Sequence, residues 1–316
     1  MIVDPEPARN QSDTGHRSPD TVYRLPLLAY LLIVLLLATG FRIYRIDHQS
    51  FWNDEGNSAR LSERSVPLII EGTASDVHPP AYYLLLRGAR ELIGESEFAL
   101  RSLSAFAGIL TVAATIAIAK LFIPNSVAIS VGLLSAISLP LIYYSQEARM
   151  YSLLACLSTL STLFLFKYLL KFSSPSPNPS TSPSLIAYAL LTTLALYTHY
   201  VYPAILVSHG FIVIIFVWTI WQGPATAAAV VKKVFKISTP WLIASSVALL
   251  LYAPWLPIFL RTGSSTREAG DATLLQFMQN SVAWLVVGPF AYLDPVASWL
   301  SWGWFPLLLV VGIGLG

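Results

Sequence analysis

The sequence predicts an all-α, polytopic transmembrane helical bundle, on three observations. The 316 residues are 55% hydrophobic and only 11% charged, and the mean hydropathy of +0.63 lies outside the range of ordinary soluble domains. Several apolar runs approach the roughly 20 residues that cross a bilayer, with short polar pieces between them. The charges then sort by sign onto opposite sides of the bundle that those runs define.

Residues 1–24 are polar and without periodicity, and read as a disordered cytoplasmic tail ahead of a membrane domain over 25–316. The run Leu25–Phe41 lacks a small-x-small cleavage pattern and is followed by Arg42-Ile43-Tyr44-Arg45, which reads as an interfacial stop, so it is a retained first span. A long first outer loop, about 45–100, contains the apolar stretch Pro80–Ile93. That stretch is too short to cross a bilayer and carries Arg87, Arg90 and Glu91, each costing about 2.5–3.5 kcal/mol near the bilayer centre. It is expected to lie in the interface as an amphipathic helix that starts at Pro79-Pro80. Further spans are expected at about 101–122, 126–144, 152–170, 185–200, 203–221 and 239–260, with a Ser/Pro linker at 173–179. Leu274–Tyr292 reads as a span or a surface helix, and Trp302–Gly316 stops without a polar flank, so the C-terminal part is expected to be incomplete.

With Pro80–Ile93 left out of the count, Lys120, Lys167, Lys171, Lys232, Lys233 and Lys236 fall on one side. The carboxylates from Asp47 to Asp271, among them Asp54, Glu55, Asp76, Glu97 and Glu147, fall on the other. Lysine-rich loops stay cytoplasmic. The N-terminus is therefore expected inside a cell (inner or plasma) membrane, with the acidic loops on the outer face. A net charge of +2 with no dense basic run excludes a nucleic-acid partner. Cys156 is the only cysteine and lies in an apolar run, which excludes an internal disulfide and a cysteine metal site.

Three outer pieces concentrate chemistry: Asn53-Asp54-Glu55 with Asp76 and His78, Glu97 with Arg101 one turn on, and the turn Ser145–Tyr151 carrying Glu147 and Arg149. Near lipid head groups a carboxylate can act as general base on a hydroxyl, and an arginine can hold a phosphate with paired hydrogen bonds. Together those jobs describe transfer of a group from a phosphate-activated lipid. Neither common Gly-rich phosphate cradle occurs in the sequence. Asp54, Glu55 and Glu147 could share a divalent metal, Mg or Mn, through oxygen ligands, although no spacing requires one. The plainer readings stand beside these: solvated loop charge for Asp54-Glu55, snorkelling anchors for Arg101 and Arg149, a Glu147–Arg149 ion pair, and satisfied bundle residues for His199 and His209.

Four blocks in order carry a resemblance. Trp52-Asn53-Asp54-Glu55, His78-Pro79-Pro80-Ala81-Tyr82-Tyr83, Ser96–Arg101 and Tyr144–Tyr151, with a weaker echo in Thr198-His199-Tyr200, resemble the signature of the GT-C fold membrane glycosyltransferases related to protein O-mannosyltransferases and aminoarabinose transferases. The resemblance covers about residues 27–200. It implies inverting transfer of a sugar from a polyprenyl-phosphate donor to a hydroxyl on the outer face. In that reading Asp54 is the base and Glu55 its neighbour in the motif. His78 shapes the donor pocket, Arg101 and Arg149 take the lipid phosphate, Glu147 and Tyr151 order the second loop, and Asn53 and His199 are further candidates. The resembling proteins are usually longer, which leaves the acceptor (protein, lipid or glycan) open. Two rival readings are a transporter or flippase of a lipid-linked glycan intermediate and a non-catalytic membrane scaffold.

Overall fold

The computed structural model describes residues 19–173, 183–221 and 226–265, so the N-terminal tail, the body of the Ser/Pro linker and the stretches 274–292 and 302–316 lie outside the described residues. Among those described, the secondary structure is helical with no strand. The first span is α1, Pro19–Ile43. The outer loop folds into three short helices, α2 (Asn53–Ser62), α3 (Val66–Ala74) and α4 (Ala81–Ile93). After them come α5 (Glu97–Ala119), α6 (Asn125–Ala136), α7 (Leu139–Ser145), α8 (Tyr151–Leu169), α9 (Pro183–Leu196), α10 (Tyr202–Trp221), α11 (Ala227–Tyr252) and α12 (Leu256–Ser265).

Helix α4 is the interfacial helix expected at Pro80–Ile93. It buries Ala81, Tyr82, Tyr83 and Leu86 on one face and exposes Leu85, Leu92 and Ile93. Its charges sit in surface ion pairs, Arg90 with Glu63 at 3.2 Å and Glu95 at 2.8 Å, and Arg87 with Glu91. Among the described residues four helices are long and apolar enough to cross a membrane, or five if the bent pair α6–α7 is one span, while the Leu27–Ile43 part of α1 and α9 are shorter. The chain is a multi-pass membrane protein.

Three expectations are corrected. The span expected at 126–144 is bent by 57° between α6 and α7. Pro140 has no N–H to give the carbonyl four residues back, that of Ala136, so the helix breaks there. Arg42, expected at the interface, is fully buried and donates Nη1 to the freed Ala136 carbonyl at 3.1 Å and Nη2 to that of Ser135 at 3.5 Å. The span expected from about 239 belongs to a longer helix, because α11 begins at Ala227 and carries Lys232, Lys233 and Lys236. That helix ends at Tyr252 and gives way to a turn at Ala253–Trp255 around Pro254, where Tyr252-Ala253-Pro254-Trp255 reads in the sequence as a kinked span end. Two tyrosines also donate to helix carbonyls one turn before prolines, buried Tyr168 to Ile237, three residues before Pro240, at 2.7 Å, and half-buried Tyr197 to Leu251, three residues before Pro254, at 3.0 Å. An unpaired carbonyl inside a bilayer costs several kcal/mol, so the Ala136 carbonyl freed by Pro140 recruits Arg42.

Acidic and basic ends segregate as the sequence required. Helix α5 runs from Glu97 toward Lys120, and α8 runs from Tyr151 to Lys167 near its other end. At the acidic end the elements are tied together: the Ala81 amide donates to Tyr197 at 2.9 Å and Arg261 donates to the Ala74 carbonyl at 2.7 Å. Cys156 is buried and free. His209, inside α10, meets Thr162 at 2.9 Å and Tyr188 at 3.2 Å on its two ring nitrogens, so it is a satisfied packing group.

The bundle is tightest where α5 faces the α6–α7 bend. A Cβ on Gly108 would meet Ser145 Oγ directly and lie 2.8 Å from Arg42 Nε. Gly108→Ala is therefore expected to destabilise by about 1–3 kcal/mol through overpacking. Gly40→Ala, where nothing lies within 4 Å, should not destabilise. Thermal unfolding of the two variants in detergent checks the contrast.

Candidate active site

Asp54 and Glu55 are not in an open loop. They occupy the first turn of α2, where free backbone N–H groups and the helix dipole favour carboxylates. Adjacent residues on a helix point about 100° apart, and the two acids accordingly separate into different environments.

Glu55 is 1% exposed and clasped by Arg101, with Nε–Oε1 at 2.8 Å and Nη2–Oε2 at 2.7 Å. It also accepts the Ala148 amide at 2.7 Å and the Trp52 amide at 3.4 Å. The remaining donors of Arg101 go to the carbonyls of Ile46 (2.7 Å), Gln49 (2.8 Å) and Ser50 (3.4 Å). A guanidinium has five N–H donors, and all five are spent. Arg101, expected to take a lipid phosphate, has no donor left for one. Glu55 and Arg101 instead lock α2, the 46–50 segment, α5 and the 146–150 turn into one unit.

Asp54 faces Arg149, with Nη2–Oδ2 at 3.3 Å and Nη1 3.4 Å from the Asp54 carbonyl. Its side chain is 39% exposed and that of Arg149 7%. Arg149 has a different standing from Arg101. Its contacts to Asp54 are long, and its buried Nε has no partner among the described residues. Its guanidinium lies 5.7 Å from the centroid of the Tyr151 ring. The turn that carries it is closed by its own amide on the Glu147 carbonyl at 2.8 Å, and its carbonyl accepts Ser104 Oγ at 3.1 Å.

Two histidines reach this face from distant parts of the chain. The rings of His78 and His199 are 5.5 Å apart, and Tyr151 lies 5.7 Å from His199. His199 Nδ1 accepts the Val201 amide at 3.1 Å, which places the proton of its neutral ring on Nε2. Burial, then His78 and Arg149, push its pKa down to about 4. Burial and Arg149 also lower His78, against the opposing charges of Asp76 and Asp54. A histidine whose folded pKa is lowered favours folding at neutral pH, and that contribution is lost as pH falls below 6.5, where only the unfolded chain gains the proton. The thermal midpoint should therefore fall between pH 6.5 and about 4, and His199→Gln should flatten that slope.

Glu147 is 7% exposed and lines a chamber of about 810 Å³ whose wall also includes Arg45, His48, Trp52, Glu55 and Tyr143 but neither His78 nor His199. Burial raises its pKa, opposed by a hydrogen bond from Tyr143 and the charges of Arg149 and Arg101. Asn53 is exposed. The structure thus brings together Asp54, Arg149, His78, His199 and Tyr151, and sets Glu147 on a second face beyond the Glu55–Arg101 clasp. Tyr83 was not singled out from the sequence. It is buried, and Asp54, Asp76 and Arg149 all bear electrostatically on its hydroxyl. The buried face of α4, with Tyr82, Tyr83 and Leu86 at helical spacing, was the signal that could have shown it.

Among the described residues no three His, Cys, Asp or Glu side chains converge to hold an ion, and the oxygens of Glu55 are already engaged.

No sequence-family profile and no curated protein matches the chain significantly. Solved structures are similar in fold, three of them as follows. They are the Saccharomyces cerevisiae protein O-mannosyltransferase Pmt1–Pmt2 complex bound to its sugar donor (16% identity, TM-score 0.54, 75% of this chain and 34% of that one), the archaeal oligosaccharyltransferase AglB from Archaeoglobus fulgidus with an inhibitory peptide and a dolichol-phosphate (13%, 0.57, 94% and 38%), and ArnT from Cupriavidus metallidurans in the apo state (16%, 0.53, 88% and 50%). This chain spans about a third to a half of the length of those chains. The fold that all three share, and that this helical bundle has, is that of the GT-C membrane glycosyltransferases.

Proposed function

We propose that the protein is a membrane glycosyltransferase that moves a sugar from a polyprenyl-phosphate donor to a hydroxyl on the outer face, with inversion and with Asp54 as general base. One observation carries the reading. A partly exposed carboxylate at a helix N-terminus lies beside an arginine that still has an unpartnered buried donor, with two histidines and Tyr151 around them.

The acceptor oxygen attacks the anomeric carbon as the bond from that carbon to the phosphate oxygen breaks. The acceptor proton passes to Asp54, and the polyprenyl phosphate leaves with its bonding electrons. Arg149 meets the charge that grows on the departing phosphate, which is most valuable where water is scarce. His78 and His199, both held toward the neutral form, offer hydrogen bonds to sugar or phosphate without adding full charge. Glu55 and Arg101 position the turn and touch neither substrate. The lysine pattern supports a cytoplasmic N-terminus and a site on the outer face of the cell membrane.

Transport of a lipid-linked glycan is the rival function. Purified protein in detergent, supplied with a polyprenyl-phosphate sugar fraction, has no compartments to move anything between. Sugar transfer there is the expected result, and an absence of transfer alongside donor movement in vesicles would replace this reading with transport.

A further inference from the structure

Serines and threonines inside helices commonly turn their hydroxyl back to the carbonyl four residues earlier, as Thr39, Ser102, Thr111 and Thr159 do in this chain. Ser104 departs from that habit. Fully buried on α5, it sends its proton out of the helix to the Arg149 carbonyl, 45 residues along the chain, at 3.1 Å. Its own carbonyl accepts Ser152 Oγ at 2.8 Å. Because the Ser104 proton is committed to Arg149, the hydroxyl of Tyr82, 3.4 Å from Ser104 Oγ, is the donor of that pair. Tyr82 is itself fully buried on α4. A chain from Tyr82 to Ser104 to the Arg149 carbonyl therefore links α4, α5 and the 146–150 turn.

Arg149 precedes α8, which starts at Tyr151, so its carbonyl lies outside the helix ladder and needs a side-chain partner. One residue earlier, the Ala148 amide is fixed by Glu55 at 2.7 Å. The turn is thus gripped at an amide from α2 and at a carbonyl from α5, and the two grips set the direction in which the Arg149 side chain leaves the main chain. Its guanidinium end is held more loosely. The contacts to Asp54 are 3.3 and 3.4 Å, and Nε has no partner among the described residues. The aim of this arginine therefore depends on the main chain behind it.

We propose that Ser104 is a positioning residue for sugar transfer: by holding the Arg149 carbonyl it aims the guanidinium at the departing phosphate, and Tyr82 keeps the serine hydroxyl turned the right way. This rests on the glycosyltransferase reading above and adds to it two residues that touch no substrate. Arg149 meets charge that grows only as the bond to phosphate breaks, so a misaimed guanidinium lowers kcat and leaves the donor KM nearly unchanged.

The test uses the full chain in nanodiscs, with the radiolabelled polyprenyl-phosphate sugar fraction of its own cells as donor and an extract of those cells as the source of acceptor. Loss of label from the donor gives kcat and donor KM. Ser104→Ala should lower kcat by about tenfold or more with KM within about twofold, and Tyr82→Phe, which frees the serine hydroxyl to rotate, should lower kcat by about two- to fivefold. The control is Tyr168, whose buried hydroxyl donates to a carbonyl at 2.7 Å near the lysine end of α8. Tyr168→Phe should lower the thermal midpoint and keep the parental kcat. In an Arg149→Gln background Ser104→Ala should cost less than about twofold more, because the group it aims is gone. The single variants and the Tyr168 control decide the matter even where the Arg149→Gln rate is too low to read. Parental kcat in a folded Ser104→Ala variant, or in Tyr82→Phe should that variant not fold, would reduce Ser104 to a packing contact while leaving the enzyme assignment standing. An equal kcat loss in Tyr168→Phe, or an undiminished further loss in the Arg149→Gln background, would do the same. No consumption of donor by the parent protein would instead remove the glycosyltransferase reading and this inference with it.

Discussion

Asp54→Asn should fold like the parent protein and lose about 100- to 10,000-fold in transfer rate, the usual range when a positioned general base is removed. Asparagine keeps the size of the side chain and can still accept a hydrogen bond from Arg149, but it cannot take up the acceptor's proton. The ion pair it removes is 3.3 Å long and 39% exposed on the carboxylate side, so the loss of stability should stay under about 1 kcal/mol. Transfer rate and thermal midpoint, measured on the same preparation, separate the two effects. A parental rate from a well-folded variant would remove Asp54 from the mechanism.

The second large effect lies in the neighbouring residue and has the opposite character. Glu55→Gln or Arg101→Leu leaves one member of a buried, doubly hydrogen-bonded pair without its partner, a change that typically costs about 3–5 kcal/mol. Such a loss is a large fraction of the roughly 5–15 kcal/mol that holds a domain folded. Both variants should therefore unfold well below the parent temperature. The double variant Glu55→Leu/Arg101→Leu should lose less than the sum of the single changes, because no charge is then stranded. An Arg101 variant that kept full stability and showed only a weakened donor KM would restore Arg101 as the phosphate ligand and dissolve the clasp.

The contrast between those neighbours shows where sequence reasoning reached and where it stopped. Composition, run length and the sorting of lysines against carboxylates identified a helical membrane bundle and kept α4 out of the bilayer, because insertion costs are additive and local. The four ordered blocks, with the weaker echo at 198–200, singled out Asp54, His78, Arg149, Tyr151 and His199, which the fold places near one another. What stayed hidden was partner choice. Asn53-Asp54-Glu55 taken as a loop gives both acids equal access to solvent, whereas the same residues on the first turn of a helix must diverge. Likewise Arg101 and Arg149 look alike as letters, and only the carbonyls of residues 46–50 distinguish a saturated guanidinium from one with a donor to spare. Pro140 advertised a break, but nothing near it announced that the compensating donor would come from Arg42, about ninety positions upstream.

That long reach from Arg42 to Ala136 constrains how the chain is made. Synthesis delivers α1 first, with a guanidinium near its C-terminal end that has only the Ala38 carbonyl of its own helix to receive it, at 3.2 Å. Until the bend bearing residues 135–140 emerges, its other donors have only water and head groups for company, which favours a position nearer the membrane surface. Settling to its final depth is then a late event, and truncated chains ending before residue 135 should expose Arg42 to water-soluble arginine-modifying reagents that fail to reach it in the finished bundle.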